Sequence, residues 1–430
     1  MINTENIEED STASSNSSYD KTLGEEFVLS FLNDKYILID KIGVGSCSAV
    51  WLALNIKDTQ LYAIKILHVD EYDSSEDEIN ILKEITSKNC KYLVNMVEYF
   101  SIKNPIFDEY NNLCIVMELY ICSTYQLLKN EYPDGFNTAI SNKIILDTLL
   151  GLKELNNLGY IHTDIKPENI LIKGLNIIFA KLNIIIKNDT YVINLIQDIV
   201  NYEINKSSCS FFYTKTSEKK ELLITLSKFL MNKFKLICNE HTTDEYQDTT
   251  DNIYLPNYYT KTFNSIIDCT PIELDYVLAD FGLLKKVNGI NNDEIQTRYY
   301  RSPEVLLGCN WYKNVDIWSI SCVYYELLTN SVIFNPEATD EFSIDINHLI
   351  EISQFIKLDC EQYENTTCFS KIPNDIEIIY SIEDSIKCCK NDDIADDDLI
   401  FSSMFIKAGL SNPKDRLTLD ELINMILNKN

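Results

Sequence analysis

The sequence predicts an α+β chain of two lobes: a β-rich N-terminal lobe built around one helix, and a mainly helical C-terminal lobe interrupted by an insertion. Three observations lead there. Between Tyr36 and Met117, short runs rich in β-branched and aromatic residues are separated by turn residues, the pattern of an antiparallel sheet. After Met117 the apolar residues recur at helical spacing, as in "NTAISNKIILDTLLGLKELNNLG", which ends on a glycine. The segment from about 174 to 272 follows one strand-like run and precedes another, with chemistry-bearing motifs on both sides. It therefore reads as an insertion within a domain.

The elements follow in order. Residues 1–34 are acidic and Ser/Asn-rich, a tail with too little apolar surface to order itself. The first lobe, 36–120, carries strands at "KYILIDKIG", "SAVWLALNI", "QLYAIKIL", "NMVEYFSI" and "LCIVMEL". One helix interrupts them, "SSEDEINILKEITSK", with Ile79, Leu82 and Ile85 on one face. The second lobe, 121–430, contains the insertion, whose helix-like stretches are "TYVINLIQDIVNYEI" and "KKELLITLSKFLMNKFKLI". The insertion is apolar for a spacer, so part of it is expected to pack on the lobes. Beyond Phe281 the chain is again mostly helical, with an acidic patch around 389–397.

Composition bounds the function. Apolar content of 45% and charged content of 24% in 430 residues fit a soluble globular protein. Thirty-seven Lys+Arg against 66 Asp+Glu, a net charge of −29, speak against direct nucleic-acid binding, which needs a basic footprint. A cationic protein substrate fits that charge, and so does acidity that merely keeps the chain soluble. No apolar run spans a bilayer, and no basic-then-apolar secretory signal opens the chain. The 13 cysteines are scattered without a C-x-x-C pair, which reads as reduced thiols of an intracellular protein. No apolar oligomer seam is visible, so a monomer is the expectation. Only Arg298, Arg301 and Arg416 are arginine, and positions that keep a bidentate fork in a Lys-rich chain invite inspection.

The motifs carry the chemistry. "KIGVGSCSAVW" puts Gly43 and Gly45 at a strand-turn-strand where backbone can approach phosphates; a tight hairpin would use the same residues. "YAIK" places Lys65 on a strand. Glu78 is the helical carboxylate that suits it as a partner, with Glu84 as an alternative; Ser75-x-x-Glu78 also reads as a capping box. In "HTDIKPENIL", Asp164 can accept a hydroxyl proton, Lys166 can steady a transferred phosphoryl group, and Asn169 can hold a magnesium ion. "ADFGLL" adds Asp280 as a second hard oxygen ligand, with Gly282 as a swivel. In this order and context, coincidence is an inadequate account.

Together these motifs resemble the eukaryotic protein kinases over about residues 36–425, the insertion apart. The resemblance implies ATP in a cleft, with Ile42, Gly43, Val44, Gly45, Ser46 and Val50 covering it. Lys65 would hold the α/β-phosphates and pair with Glu78. Ala63 and Leu171 would sandwich the adenine, Met117 would be the gatekeeper, and Glu118 to Tyr120 the hinge. "IQTRYYRSPEVLLG" resembles the CMGC group. Within it, "HTDIKPENIL" followed by a long insertion resembles the SR-protein kinases, which phosphorylate serines in Arg-Ser dipeptides and act in the regulation of mRNA splicing. That implies Arg/Ser-rich protein substrates, MgATP, and a place in the cytoplasm, the nucleus or both. Another CMGC kinase, Cdc2-like or dual-specificity, is the competing enzyme reading. A catalytically silent scaffold that grips basic tails is the reading from another class.

Thr163 stands where most kinases have an arginine that pairs with a phosphorylated activation loop. Its presence beside an intact catalytic set predicts constitutive activity. Arg416 matches the position that pairs with Glu304 and braces the activation segment. Arg298 and Arg301 flank Tyr299-Tyr300, where they either brace the loop or receive a phosphorylated neighbour on the substrate. Both tyrosines are open to autophosphorylation. Asp345 and Glu351 are the candidate acidic contacts for substrate arginines, with a solvated helix face as the alternative.

Overall fold

The computed structural model describes residues 31–44, 48–67, 72–103, 111–174, 177–206, 225–226, 228–230, 271–288, 291–363, 372–373, 376–390 and 393–429. The β-prone runs form β1 (Phe31–Leu32), β2 (Tyr36–Val44), β3 (Ser48–Asn55), β4 (Gln60–Leu67), β5 (Met96–Lys103) and β6 (Asn111–Met117). They make one six-stranded sheet in the order β1-β2-β3-β4-β6-β5. β1 lies inside the stretch expected to be tail. Asn33 and Asp34 take φ of 52° and 49°, a left-handed turn those side chains tolerate, and it folds Leu32 back onto Tyr36.

Register sorts the two faces of this sheet. On one face Leu38, Ala49, Trp51, Ala53, Ile64, Ile66, Cys114 and Val116 form a buried cluster. On the other, Gly43 faces Val50, Val50 faces Lys65, Lys65 faces Ile115, and Ala63 faces Met117. Directly opposed residues point the same way, and positions two apart share a side. Gly43, Val50, Ala63, Lys65 and Met117 therefore lie on a single face.

α1 (Tyr72–Lys88) begins three residues before Ser75, so Ser75 lies within the helix rather than at the N-cap position a capping box uses. From Asp77 to Met96 the chain belongs to the second of two compact units, which divides the lobes differently from the expected 36–120 boundary. Hydrogen bonds give the reason: Val94 N donates to Leu278 O and Leu278 N to Tyr92 O, both at 2.9 Å. The amides of Lys91 and Tyr92 donate to Glu154 at 3.0 Å each.

That unit holds α2 (Thr124–Glu131), α3 (Thr138–Asn157), β7 (Tyr160–Ile161) and β8 (Ile170–Lys173). After the insertion come β9 (Asp275–Leu278), β10 (Lys285–Lys286), α6 (Pro303–Leu306), α7 (Val315–Thr329), α8 (Ile344–Ser353), α9 (Ile382–Cys389), α10 (Asp396–Gly409) and α11 (Leu419–Lys429). Asn137 and Ser343 cap α3 and α8 by accepting from the amides of Ile140 and Ile346. Every residue of α7 is buried, and it packs against α3, α9 and α10 as the axis of the unit.

Within the insertion, α4 (Ile177–Asn188) and α5 (Thr190–Lys206) bury Leu182, Ile186, Val192, Leu195, Ile196 and Ile199. The described insertion residues between Asn183 and Leu230 cluster with the sheet unit. Among the described residues no helix is long and apolar enough to cross a membrane, and the described cysteines are free of disulfides.

Candidate active site

The catalytic loop leaves β7 under tight control. The amides of His162 and Thr163 donate to the two carboxylate oxygens of Asp316 at 2.9 and 2.8 Å. Asp316 sits in the first turn of α7, 2% exposed. Burial pushes its carboxyl up, while His162 and the two amides pull it down. Thr163 takes φ of 69°, a left-handed conformation a β-branched residue avoids unless its surroundings fix it. Its hydroxyl donates to Leu283 O at 2.7 Å, and its carbonyl accepts from Gln296 N at 3.0 Å. The arginine position is thus occupied by a short polar strut.

Beyond this bend Asp164 is 5% exposed, and both its carboxylate oxygens are engaged. Oδ2 accepts from Lys166 Nζ at 2.7 Å and Asn169 Nδ2 at 3.2 Å. Oδ1 accepts from the Thr297 hydroxyl at 2.7 Å and its amide at 3.2 Å. Lys166 Nζ also reaches Thr297 Oγ1 at 3.0 Å. Three polar side chains meet on one carboxylate, with Thr297 supplied from more than a hundred residues away.

Asn169 and Asp280 are brought together by the β8–β9 hairpin. Ile170 pairs with Leu278, and Ala279 N donates to Asn169 O at 2.9 Å. Asn169 and Asp280 thus leave the same end of a two-stranded sheet. The Asn169 amide nitrogen is spent on Asp164 O at 2.8 Å, which leaves its side-chain oxygen as the acceptor for a cation. Asp280 has φ of 65°. A Cβ on Gly282 would lie 3.7 Å from Glu78 Oε2 and 3.8 Å from Asp280 Oδ1. Glu78 is 6% exposed at this spot, and Glu84 accepts from Tyr160 OH at 3.3 Å. Two hard oxygen ligands on a fixed hairpin suit a divalent ion whose remaining ligands are phosphate and water.

The other expected residues fall as follows. Ile42, Gly43, Val44, Val50, Ala63, Lys65 and Met117 lie on β2, β3, β4 and β6 of the sheet unit; Gly45 and Ser46 lie outside the described residues. Glu118 and Tyr120 belong to the other unit, where Glu118 is 3.7 Å from Lys173 Nζ and Tyr120 OH accepts from Asn95 N at 3.5 Å. Leu171 pairs with Val277 and bridges to Ser123.

The activation segment carries several of the remaining expected residues. Arg416 and Glu304 form a two-pronged ion pair, Nη2 to Oε2 at 2.7 Å with Nη1 on Oε1, their side chains 0% and 3% exposed. Arg301 braces the loop: Nε and Nη2 donate to Gln296 O at 3.2 and 2.9 Å, and Nη1 pairs with Glu294. Of the two roles the sequence offers for Arg301, these contacts supply the loop brace. Tyr300 is buried, its hydroxyl donating to Glu326 Oε2 at 2.6 Å, so of the two tyrosines only Tyr299 is exposed. Glu351 accepts from Asn335 N at 2.9 Å, and burial pushes its carboxyl up; it is partly committed to the protein's own backbone.

Three residues carry weight that the motifs did not assign. Thr297 holds Asp164, and Asp316 fixes the loop. Gln296, 5% exposed with φ of 67°, donates to Val315 O at 3.0 Å and Ser319 Oγ at 2.8 Å while accepting from Ser302 N at 2.9 Å. Asp316 had a signal: an acid beginning a mostly apolar helix must find donors inside. Gln296 and Thr297 had none beyond their place in a quoted motif.

Comparison with known proteins bears on this geometry. The protein kinase domain family matches residues 36–183 and 261–427, with a gap inside the expected 174–272 insertion. Protein kinase dsk1 of Schizosaccharomyces pombe is 27% identical over 372 residues, covering 78% of this chain and 67% of its own. Serine/threonine-protein kinase SRPK of Physarum polycephalum is 26% identical over 326 residues, covering 73% and 65%. Serine/threonine-protein kinase AFC3 of Arabidopsis thaliana is 26% identical over 307 residues, covering 70% and 56%.

Proposed function

The chain belongs to the protein kinase family as a serine/threonine kinase that uses ATP and a divalent metal, and from that premise we propose that it phosphorylates serines in arginine/serine-rich proteins without prior activation-loop phosphorylation. The observation that carries the chemistry is the set of bonds on Asp164. A carboxylate anchored at both oxygens is aimed rather than free to rotate, so an incoming serine hydroxyl meets a fixed base. Lys166, on the same carboxylate, stands where negative charge develops on the transferred group. Magnesium, held by Asn169 and Asp280, would supply charge neutralisation to the nucleotide phosphates. Gly43, Val50, Ala63, Lys65 and Met117 on their common face would receive the nucleotide, with Lys65 on its phosphates.

Independence from phosphorylation is supported by Thr163, which cannot bind a phosphate as arginine does, and by the hydrogen bonds of Gln296 and Arg301 that already hold the segment. Preference for arginine is supported by the net charge of −29 and by Asp345 in the first turn of α8. One observation favours the other CMGC reading: Asp345 is already paired within the chain, with Arg298. The experiment is phosphate incorporation into an Arg-Ser repeat, a Lys-Ser repeat and a Ser-Pro peptide, with Asp164→Ala as the blank. Clear preference for the Arg-Ser repeat supports the reading; preference for Ser-Pro moves the chain to the other branch.

A further inference from the structure

The inference that follows rests on the reading that the substrate brings arginine beside serine. Arg298 and Asp345, which the sequence offers as two separate substrate contacts, are bound to each other. Arg298 directly follows Thr297, whose hydroxyl is on Asp164, so the pair begins one residue from the base. Asp345 is in the first turn of α8, where the helix end already favours an anion.

Two ion pairs of identical chemistry can be compared within this segment. Arg416–Glu304 is bidentate with side chains 0% and 3% exposed; opening it would strand a buried charge. Arg298–Asp345 uses one guanidinium nitrogen and one carboxylate oxygen, with side chains 24% and 48% exposed. An exposed single-contact pair contributes little and re-forms with other partners. Arg301 offers no such freedom, because three of its contacts stay inside its own loop.

We propose that Arg298 is an internal occupant of the substrate-arginine site on Asp345. An arginine of the substrate displaces it, and the released guanidinium becomes available to phosphate on a neighbouring serine that has already been modified. Arginine at Asp345 and phosphate at Arg298 then gain from opening the same ion pair, so each strengthens the other's binding by the same factor. The first modification of an Arg-Ser tract competes with Arg298; later ones are helped by it. Arg298 is in this sense a specificity residue that grades unmodified against partly modified substrate.

The test compares the KM of an Arg-Ser repeat peptide, unmodified and carrying one phosphoserine beside the acceptor, for the wild type, Arg298→Ala, Arg298→Gln and Asp345→Asn. Wild type is expected to favour the phosphorylated peptide. Arg298→Ala should lower the KM for the unmodified peptide about two- to fivefold, the range an exposed pair allows, and abolish the preference. Arg298→Gln, which keeps the length and polarity of the side chain, should move the same way and covers the case in which the alanine variant does not fold. Asp345→Asn should raise the KM for both peptides. A raised or unchanged KM for unmodified peptide in the folded Arg298 variants, with wild type still preferring arginine over lysine, overturns the exchange alone. Equal use of Arg-Ser and Lys-Ser repeats by wild type removes the substrate reading, and the exchange with it.

Discussion

The hydroxyl of Thr163 donates to the carbonyl of Leu283 across 2.7 Å, joining the catalytic loop to the segment just after Asp280-Phe281-Gly282. This contact needs no phosphate, whereas an arginine at the same position would pair with one. Thr163→Val keeps the shape and removes the donor. It should cost about 1 kcal/mol of stability in denaturant titrations and lower kcat, while Thr163→Ser retains both. Phosphatase-treated wild type should keep its rate; loss of most activity on that treatment would contradict the assignment.

Thr297 is a positioning residue for Asp164. Thr297→Val removes the 2.7 Å bond to Oδ1 and the partner of Lys166 and should reduce kcat about tenfold or more, with the KM for ATP much less affected. Thr297→Ser should restore it. Asp164→Asn, which removes the proposed base, should cost ~10²–10⁴ in kcat.

The Glu304–Arg416 pair sets the cost of disturbing the segment from below. Arg416→Met leaves Glu304 buried and unpaired and should destabilise the protein by about 3–5 kcal/mol. The double variant Glu304→Gln with Arg416→Met should recover part of that loss, measurable as a double-mutant cycle in thermal or chemical unfolding.

Acid stability should report on His348. It is fully buried on α8 against Phe334, and burial, then Arg298 and Arg301, push its pKa down to about 3. The unfolded chain binds this proton near pH 6.5 and the folded chain does not until about 3. Stability from this group is therefore complete above pH 6.5 and declines as pH falls, at a slope approaching ~1.4 kcal/mol per pH unit. His348→Leu should flatten the dependence of Tm on pH between 6.5 and 4.

Much of this was legible from the chain. The strands around "YAIK" and the long helix from Thr138 follow hydrophobic periodicity, and the pair of Arg416 with Glu304 follows from a motif position. What sequence alone could not reach were contacts whose partners are distant. Thr297 meets Asp164 133 residues away, and Gln296 meets Ser319 only because the chain bends at positive φ. Ser75 reads as an N-cap, but α1 begins earlier, at Tyr72. The short strand at Phe31 carries little local signal because its hairpin turn uses Asn33 and Asp34 rather than glycine. Arg298 and Asp345 were both singled out, yet their mutual pairing depends on how α8 is placed, which no local pattern encodes.

The β8–β9 hairpin has a consequence for how this chain tolerates change. Lys173 and Asp275 stand opposite each other in register, so everything between them enters and leaves at a single doorway. An excursion closed in this way adds only a slowly growing entropic term as it lengthens, and the ladder that sets Asn169 beside Ala279 is fixed on the near side of that doorway. A change in the length of the excursion should leave this ladder in register, whereas removal of α4 and α5 would uncover the apolar residues they bury.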